Sequence, residues 1–183
     1  MNYLSFFIRS AVVALVILGL VACGGSSGGS SNDFIGSSSD INVALQANGG
    51  SATASYDNDN AGLVNDGDTT TSTFWAGNVI NDAVTIDFGS SKNISSITIY
   101  TNSTTFSSSN PDQLIEISSN GTNWRTTAQL VGGDVPCSSS SLGSGKVACT
   151  LTSRADARFI RFRVTATADI GLIQVHEIEV QGR

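Results

Sequence analysis

Apolar side chains in this chain recur at every second position and nowhere hold a helical period, which commits its patterned part to strands. Val84, Ile86 and Phe88 alternate with Thr85 and Asp87, and Ile97 and Ile99 alternate with Thr98 and Tyr100. A period of two puts such residues on one face of a pleated strand, one side toward a core and the other toward water. Ile115 and Ile117 continue the pattern, followed by an Asn120, Gly121 turn and then Trp124. Ile160, Phe162 and Val164 oppose Arg161 and Arg163, and the last stretch sets Ile178 and Val180 inward with Glu177 and Glu179 outward. Short strands with turn residues between them predict an all-β fold, a two-sheet sandwich or jelly roll of about eight antiparallel strands.

The hydrophobic fraction of 40% is enough for a packed core, while Ser, Thr, Asn and Gly supply the turns. A formal charge of −6 argues against nucleic acid, because a phosphate-binding surface needs clustered Lys and Arg. Lys92 and Lys146 are the only lysines, so a basic membrane-binding face is also excluded.

The first 22 residues read as a targeting segment. Arg9 supplies a positive end, and Ala11 to Ala22 an apolar run too short to span a bilayer, which takes about 20 residues. Leu20, Val21 and Ala22 before Cys23 resemble a bacterial lipobox, so Cys23 is expected to carry lipid after the preceding peptide is removed. A single acyl chain holds only marginally, and a multiply acylated cysteine gives stable anchoring. Gly24 after the cysteine, in place of Asp, favours the outer membrane in a Gram-negative cell. Residues 23–39 then read as the lipidated cysteine and a Gly/Ser-rich linker, and residues 40–183 as the folded domain. With Cys23 assigned to lipid, Cys137 and Cys149 remain. They flank the loop-like stretch SSSSLGSGKVA and suit a disulfide in an oxidising compartment, the alternatives being two free thiols or a metal pair.

The segment from Asp66 to Trp75, DGDTTTSTFW, sets two carboxylates and a run of hydroxyls against an aromatic pair. Carboxylates, hydroxyls and turn carbonyls are hard oxygen ligands of the kind calcium takes, and neither the Cys nor the His that a soft metal prefers is present there. A rival reading places Asp57, Asp59, Gly62 and Asp68 at positions of an EF-hand loop. It fails because Ala61 stands at position five, position twelve is not Glu, and no helices flank it.

The stretch from Asn42 to Trp75, together with VTIDFG at 84–89, ISSITIY at 94–100, SSNGTNW at 118–124, ARFIRFRV at 157–164 and HEIEVQG at 176–182, resembles a discoidin domain. This family is also called the coagulation factor 5/8 type C domain and includes family 32 carbohydrate-binding modules. The resemblance covers essentially all of 40–183 and implies a galactose-binding-like jelly roll. It also implies a structural calcium site built from Asp66, Asp68, Thr71, the carbonyl of Leu63 and Glu177, with the carbonyl of His176 as a further ligand. This chain has more residues between Asp66 and Trp75 than family members usually do, which leaves Thr73 as an alternative to Thr71. Trp75 and Trp124 match family core landmarks.

If calcium is structural, function belongs to the loops. A sugar needs an aromatic face and polar groups to fix its hydroxyls, and the candidates are Phe106, Tyr56, Asp57, Asp59, Arg161 and Arg163. A bland reading stands beside each: Tyr56 packs, DNDN at 57–60 is an exposed turn, and the arginines form a solvated strand face. A Ser, His, Asp triad lacks an available base, since His176 is the only histidine and the resemblance ties it to the calcium-side strand. The expectation is a non-catalytic, lipid-anchored outer-membrane or cell-surface protein that binds a polysaccharide or envelope glycan. The alternative is a structural or adhesive lipoprotein that contacts a surface protein.

Overall fold

The structure is a computed structural model, and it describes residues 39–70, 72–102, 113–127, 145–165 and 172–183, with the backbone alone for 137–141. Every described residue belongs to one compact unit that begins at Ser37. Cys23, Thr71 and Phe106 therefore lie outside the described residues.

Nine strands are described: β1 (Ile41–Asn42), β2 (Ser51–Ala54), β3 (Trp75–Gly77), β4 (Ala83–Thr101), β5 (Gln113–Ser118), β6 (Arg125–Thr126), β7 (Cys137–Ser141), β8 (Lys146–Val164) and β9 (Ile173–Gly182). Every pairing is antiparallel. β4 and β8 have 19 residues each. Straight, such a strand would run about 60 Å at roughly 3.3 Å per residue, beyond the width of a compact domain of this size. They bend, and the register of their pairing shifts between Asp87 and Lys92 and between Ile94 and Ser96. The sequence pattern suggests two separate strands on either side of Gly89 to Ser91, whereas one strand runs through the corner and serves both layers.

One layer holds β2, the first half of β4, the second half of β8, β5 and β6. The other holds β7, the first half of β8, the second half of β4 and β9, with β1 and β3 also on β9. Val84, Ile86, Phe88, Ile115, Ile117, Ile160 and Phe162 from the first layer meet Ile97, Ile99, Leu151, Ile178 and Val180 from the second in one core. All but Leu151 are inward residues that the alternation marks, and burying each side chain contributes about 1.5–3 kcal/mol.

Trp75 is fully buried, meets Phe162 edge-on at 6.3 Å, and donates its indole N–H to the Tyr56 carbonyl at 2.7 Å. Trp124 is not a core residue. It is half-buried outside the core cluster, and the Arg161 guanidinium lies 4.0 Å from its ring centroid. The stretch that reads as a loop after Cys137 is largely a hairpin, with β7 pairing along β8 from Cys137 opposite Leu151 to Ser141 opposite Val147. Cys149 is fully buried and disulfide-bonded, and Cys137 lies two register positions from it on the neighbouring strand. The start of the domain is tied down by Asp40, whose carboxylate accepts two bonds from Arg154 and one from Ser95.

Candidate functional site

Two places on this fold gather the chemistry that the sequence marks. The first is where the segment after Asp66 meets β9. β3 pairs with β9 so that Trp75 stands opposite Val175, and carrying that antiparallel register two residues further sets Thr73 beside Glu177. Two contacts agree: the Phe74 ring meets the His176 ring edge-on at 5.8 Å, and His176 Nδ1 lies 3.0 Å from the Thr73 carbonyl oxygen. Gly67 adopts a left-handed backbone (φ 93°) that suits glycine, and its N–H donates to Glu177 Oε2 at 3.2 Å.

Glu177 is not solvent-facing as alternation alone suggests. It occupies the face opposite Ile178, yet it has no exposed surface. Its Oε1 and the Thr73 hydroxyl are both buried without a hydrogen-bond partner. Burial pushes the Glu177 carboxyl up to about 8; the Gly67 and Asp66 amides pull the other way, while the charges of Asp66 and Glu179 raise it further. A buried polar oxygen without a partner costs about 1–3 kcal/mol. A buried hydroxyl beside a buried carboxylate with one oxygen unpartnered is what an oxygen-loving cation would relieve.

The rest of the expected set is less concentrated. The amide of Asp68 donates to Asp66 Oδ1, and the Thr70 amide to Asp68 Oδ1, each at 2.8 Å. The Thr70 bonds hold the Asp68 carboxyl below the usual range. Leu63 is half-buried in the 3-10 turn from Asn58 to Val64. Among the described residues no three His, Cys, Asp or Glu side chains converge to hold an ion. A cation here would therefore rest on Glu177, the Thr73 hydroxyl and backbone carbonyls as much as on aspartates. Of the two threonines that the sequence leaves open, Thr73 carries an orphaned oxygen, and Thr71 lies outside the described residues.

The second place is an open groove of about 620 Å³ on the outer face of the first layer. Thr53, Thr85 and Arg161 stand in one register row across β2, β4 and β8, and the row continues to Glu116 on β5. Ser55, Asn81 and Arg163 complete the polar lining. Asn81 has a left-handed backbone (φ 75°), a conformation that asparagine tolerates better than most residues, and it turns the chain at the groove's end.

The two arginines do not form a merely solvated face. Glu116, whose side chain is only 7% exposed, accepts from Nε of Arg161 at 2.8 Å and from Nε and Nη2 of Arg163 at 2.9 and 3.0 Å. Burial pushes the Glu116 carboxyl up, but the hydrogen bonds and charges of Arg163 and Arg161 together outweigh it and leave it below its ordinary value. The stack of Arg161 on Trp124 fixes the first guanidinium further.

Of the other proposed ligand residues, Tyr56 is exposed, and its carbonyl caps Trp75. Asp57 accepts from Asn60 through both carboxylate oxygens, and Asp59 is exposed in the same turn. These three adjoin Ser55 in sequence but do not line the groove. Thr53, Ser55, Asn81, Thr85 and Glu116 were not marked by sequence reading. The available signal was weak: an outward Glu between two inward isoleucines and an Arg-x-Arg of the same phase, joined only once register is known.

A family model described as the F5/8 type C domain matches residues 38–178. No curated protein sequence matches the chain. Among solved structures, the module CpGH89CBM32-6 produced by Clostridium perfringens is similar at 23% identity and a TM-score of 0.57, over 78% of this chain and 100% of that one. The family 32 module from C. perfringens NanJ, in complex with galactose, is similar at 17% identity and 0.55, over 78% and 98%. The family 32 module of AlyQ, in complex with 4,5-unsaturated mannuronic acid, is similar at 19% and 0.52, over 71% and 92%.

Proposed function

The chain belongs to the F5/8 type C domain family, and from that premise we propose that it is a non-catalytic carbohydrate-binding protein whose ligand lies in the outer groove. The observation that carries this reading is the groove's lining. Two guanidiniums, an amide and several hydroxyls face one open concavity across three strands, the kind of surface that fixes sugar hydroxyls by orientation. Solved modules of similar fold hold galactose and an unsaturated mannuronic acid. A non-catalytic role is supported by His176, which is 3% exposed and engaged with the Thr73 carbonyl and Phe74. Binding of the full chain to a glycan array tests the function; no retained glycan on folded protein would refute it.

Calcium belongs to the same reading as a structural ion, held by Glu177, the Thr73 hydroxyl, Asp66 and carbonyls of the Leu63 and His176 regions. It would supply the positive charge that the buried Glu177 carboxylate and the orphaned Thr73 hydroxyl lack. Cys23 is the proposed lipid attachment, which places the domain at the outer membrane or cell surface. Among the described residues no helix is long and apolar enough to cross a membrane. Cys137 is the proposed partner of the disulfide-bonded Cys149.

A second reading, an adhesive contact with a surface protein, is favoured by one feature. Val79, Ile80 and Leu172 are each about half exposed, and the β3–β9 register, with Gly77 opposite Ile173, brings their two turns together.

A further inference from the structure

Among the described residues the charges around the groove do not balance. Arg161 and Arg163 face a single carboxylate, Glu116. The neighbouring titratable groups are already spent: Asp87 is paired with Arg158 through two bonds of 2.8 Å. Asp82 is 7% exposed, and its Oδ2 accepts from the amides of Asn78 and Val79 within its own turn. Among the described residues one positive charge is left unmatched in the groove, in a chain whose formal charge is −6.

Hydrogen-bonding capacity is left over as well. A guanidinium carries five N–H donors. Those not engaged by Glu116, or by Asn81 Oδ1 at 3.4 Å, have no acceptor among the described residues; Nη1 of Arg161 is one of them. The guanidiniums are held in place by Glu116 and Trp124 while their side chains remain 22% and 24% exposed. A planar fork fixed in advance and partly desolvated suits a planar or tetrahedral oxyanion. The hydroxyls of Thr53 and Thr85 stand in the same row.

We infer that the groove selects an anionic saccharide, with a ring-borne oxyanion seated on the spare donors of Arg161 and Arg163 and ring hydroxyls on Thr53, Thr85 and Asn81. The inference rests on the carbohydrate reading above and adds the chemical class of the ligand. A carboxylate of a uronic acid and a sulfate ester present the same chemistry to the arginines, so the experiment carries both.

Full chain in detergent is titrated calorimetrically with oligogalacturonate, with a sulfated galactan oligosaccharide and with a neutral galacto-oligosaccharide of equal length. The groove predicts at least a tenfold preference for one of the charged ligands over the neutral one, and which of them shows it identifies the oxyanion. Arg163→Gln removes the unmatched charge, and Asn81→Asp neutralises it from the groove's end while leaving the Glu116 bonds in place. Each is expected to reduce the charged-over-neutral preference at least tenfold, with a melting curve confirming that the variant is folded. Equal or tighter binding of the neutral ligand overturns the inference and leaves the carbohydrate reading intact. A preference that survives in either folded variant overturns it too. Absence of binding to all three defeats the inference together with the reading beneath it.

Discussion

Glu116→Ala is expected to leave two guanidiniums side by side on β8 with no counter-charge. The carboxylate they lose is 7% exposed and accepts three hydrogen bonds from them. Removing one partner of a fully buried pair costs about 3–5 kcal/mol. Because the arginine side chains keep 22% and 24% of their exposure, the cost here is discounted to roughly 2–4 kcal/mol. The sign of the pH dependence follows from the carboxyl's lowered value in the folded state. Its contribution is fully present above the unfolded value of about 4.5 and is lost as pH falls through the folded one. Urea unfolding of wild type and variant at pH 7 and again near pH 3 measures both effects. A difference below about 0.5 kcal/mol at pH 7, or one unchanged at pH 3, would refute the claim that this network is desolvated and ionic.

Calcium at 100 times its dissociation constant is expected to stabilise the chain by about 2.7 kcal/mol, a rise of roughly 5–10 °C in melting temperature. Thr73→Ala and Glu177→Gln should each abolish that rise in a calcium titration followed by calorimetry, and a rise that persists in both would remove them from the site. Trp75→Phe leaves the Tyr56 carbonyl without its donor and opens space beside Phe162, so chemical unfolding should show a loss of about 2–3 kcal/mol. Reduction of a bond between Cys137 and Cys149 should lower stability by about 3 kcal/mol; peptide mapping that pairs Cys149 with Cys23 instead would contradict the assignment.

Much of the fold is legible in the sequence because inward residues obey a period of two wherever one face of a strand meets the core. Ile86, Ile99, Ile117, Phe162 and Ile178 are all fully buried. The corner in β4 was not legible. Gly89, Ser90 and Ser91 look like a turn, and only their pairing around the bend of β8 keeps the strand continuous. Glu177 shows a second limit. Alternation fixes which side of β9 it occupies but not that the segment carrying Gly67 and Thr73 lies over that side and seals it from water. Trp124 shows a third, since an aromatic after a turn can fill a core or, as here, serve as a platform for a guanidinium. The groove itself depended on register, which sets Thr53, Thr85, Arg161 and Glu116 in one row although they are far apart in sequence.

Amide chemical-shift mapping of the chain as it is titrated with a bound oligosaccharide tests the assignment of the ligand site most directly. The groove predicts that the largest changes fall at Thr53, Ser55, Asn81, Thr85, Arg161 and Arg163, with Thr73 and Glu177 unmoved. Changes centred on Tyr56 to Asn60 with a silent groove would contradict it.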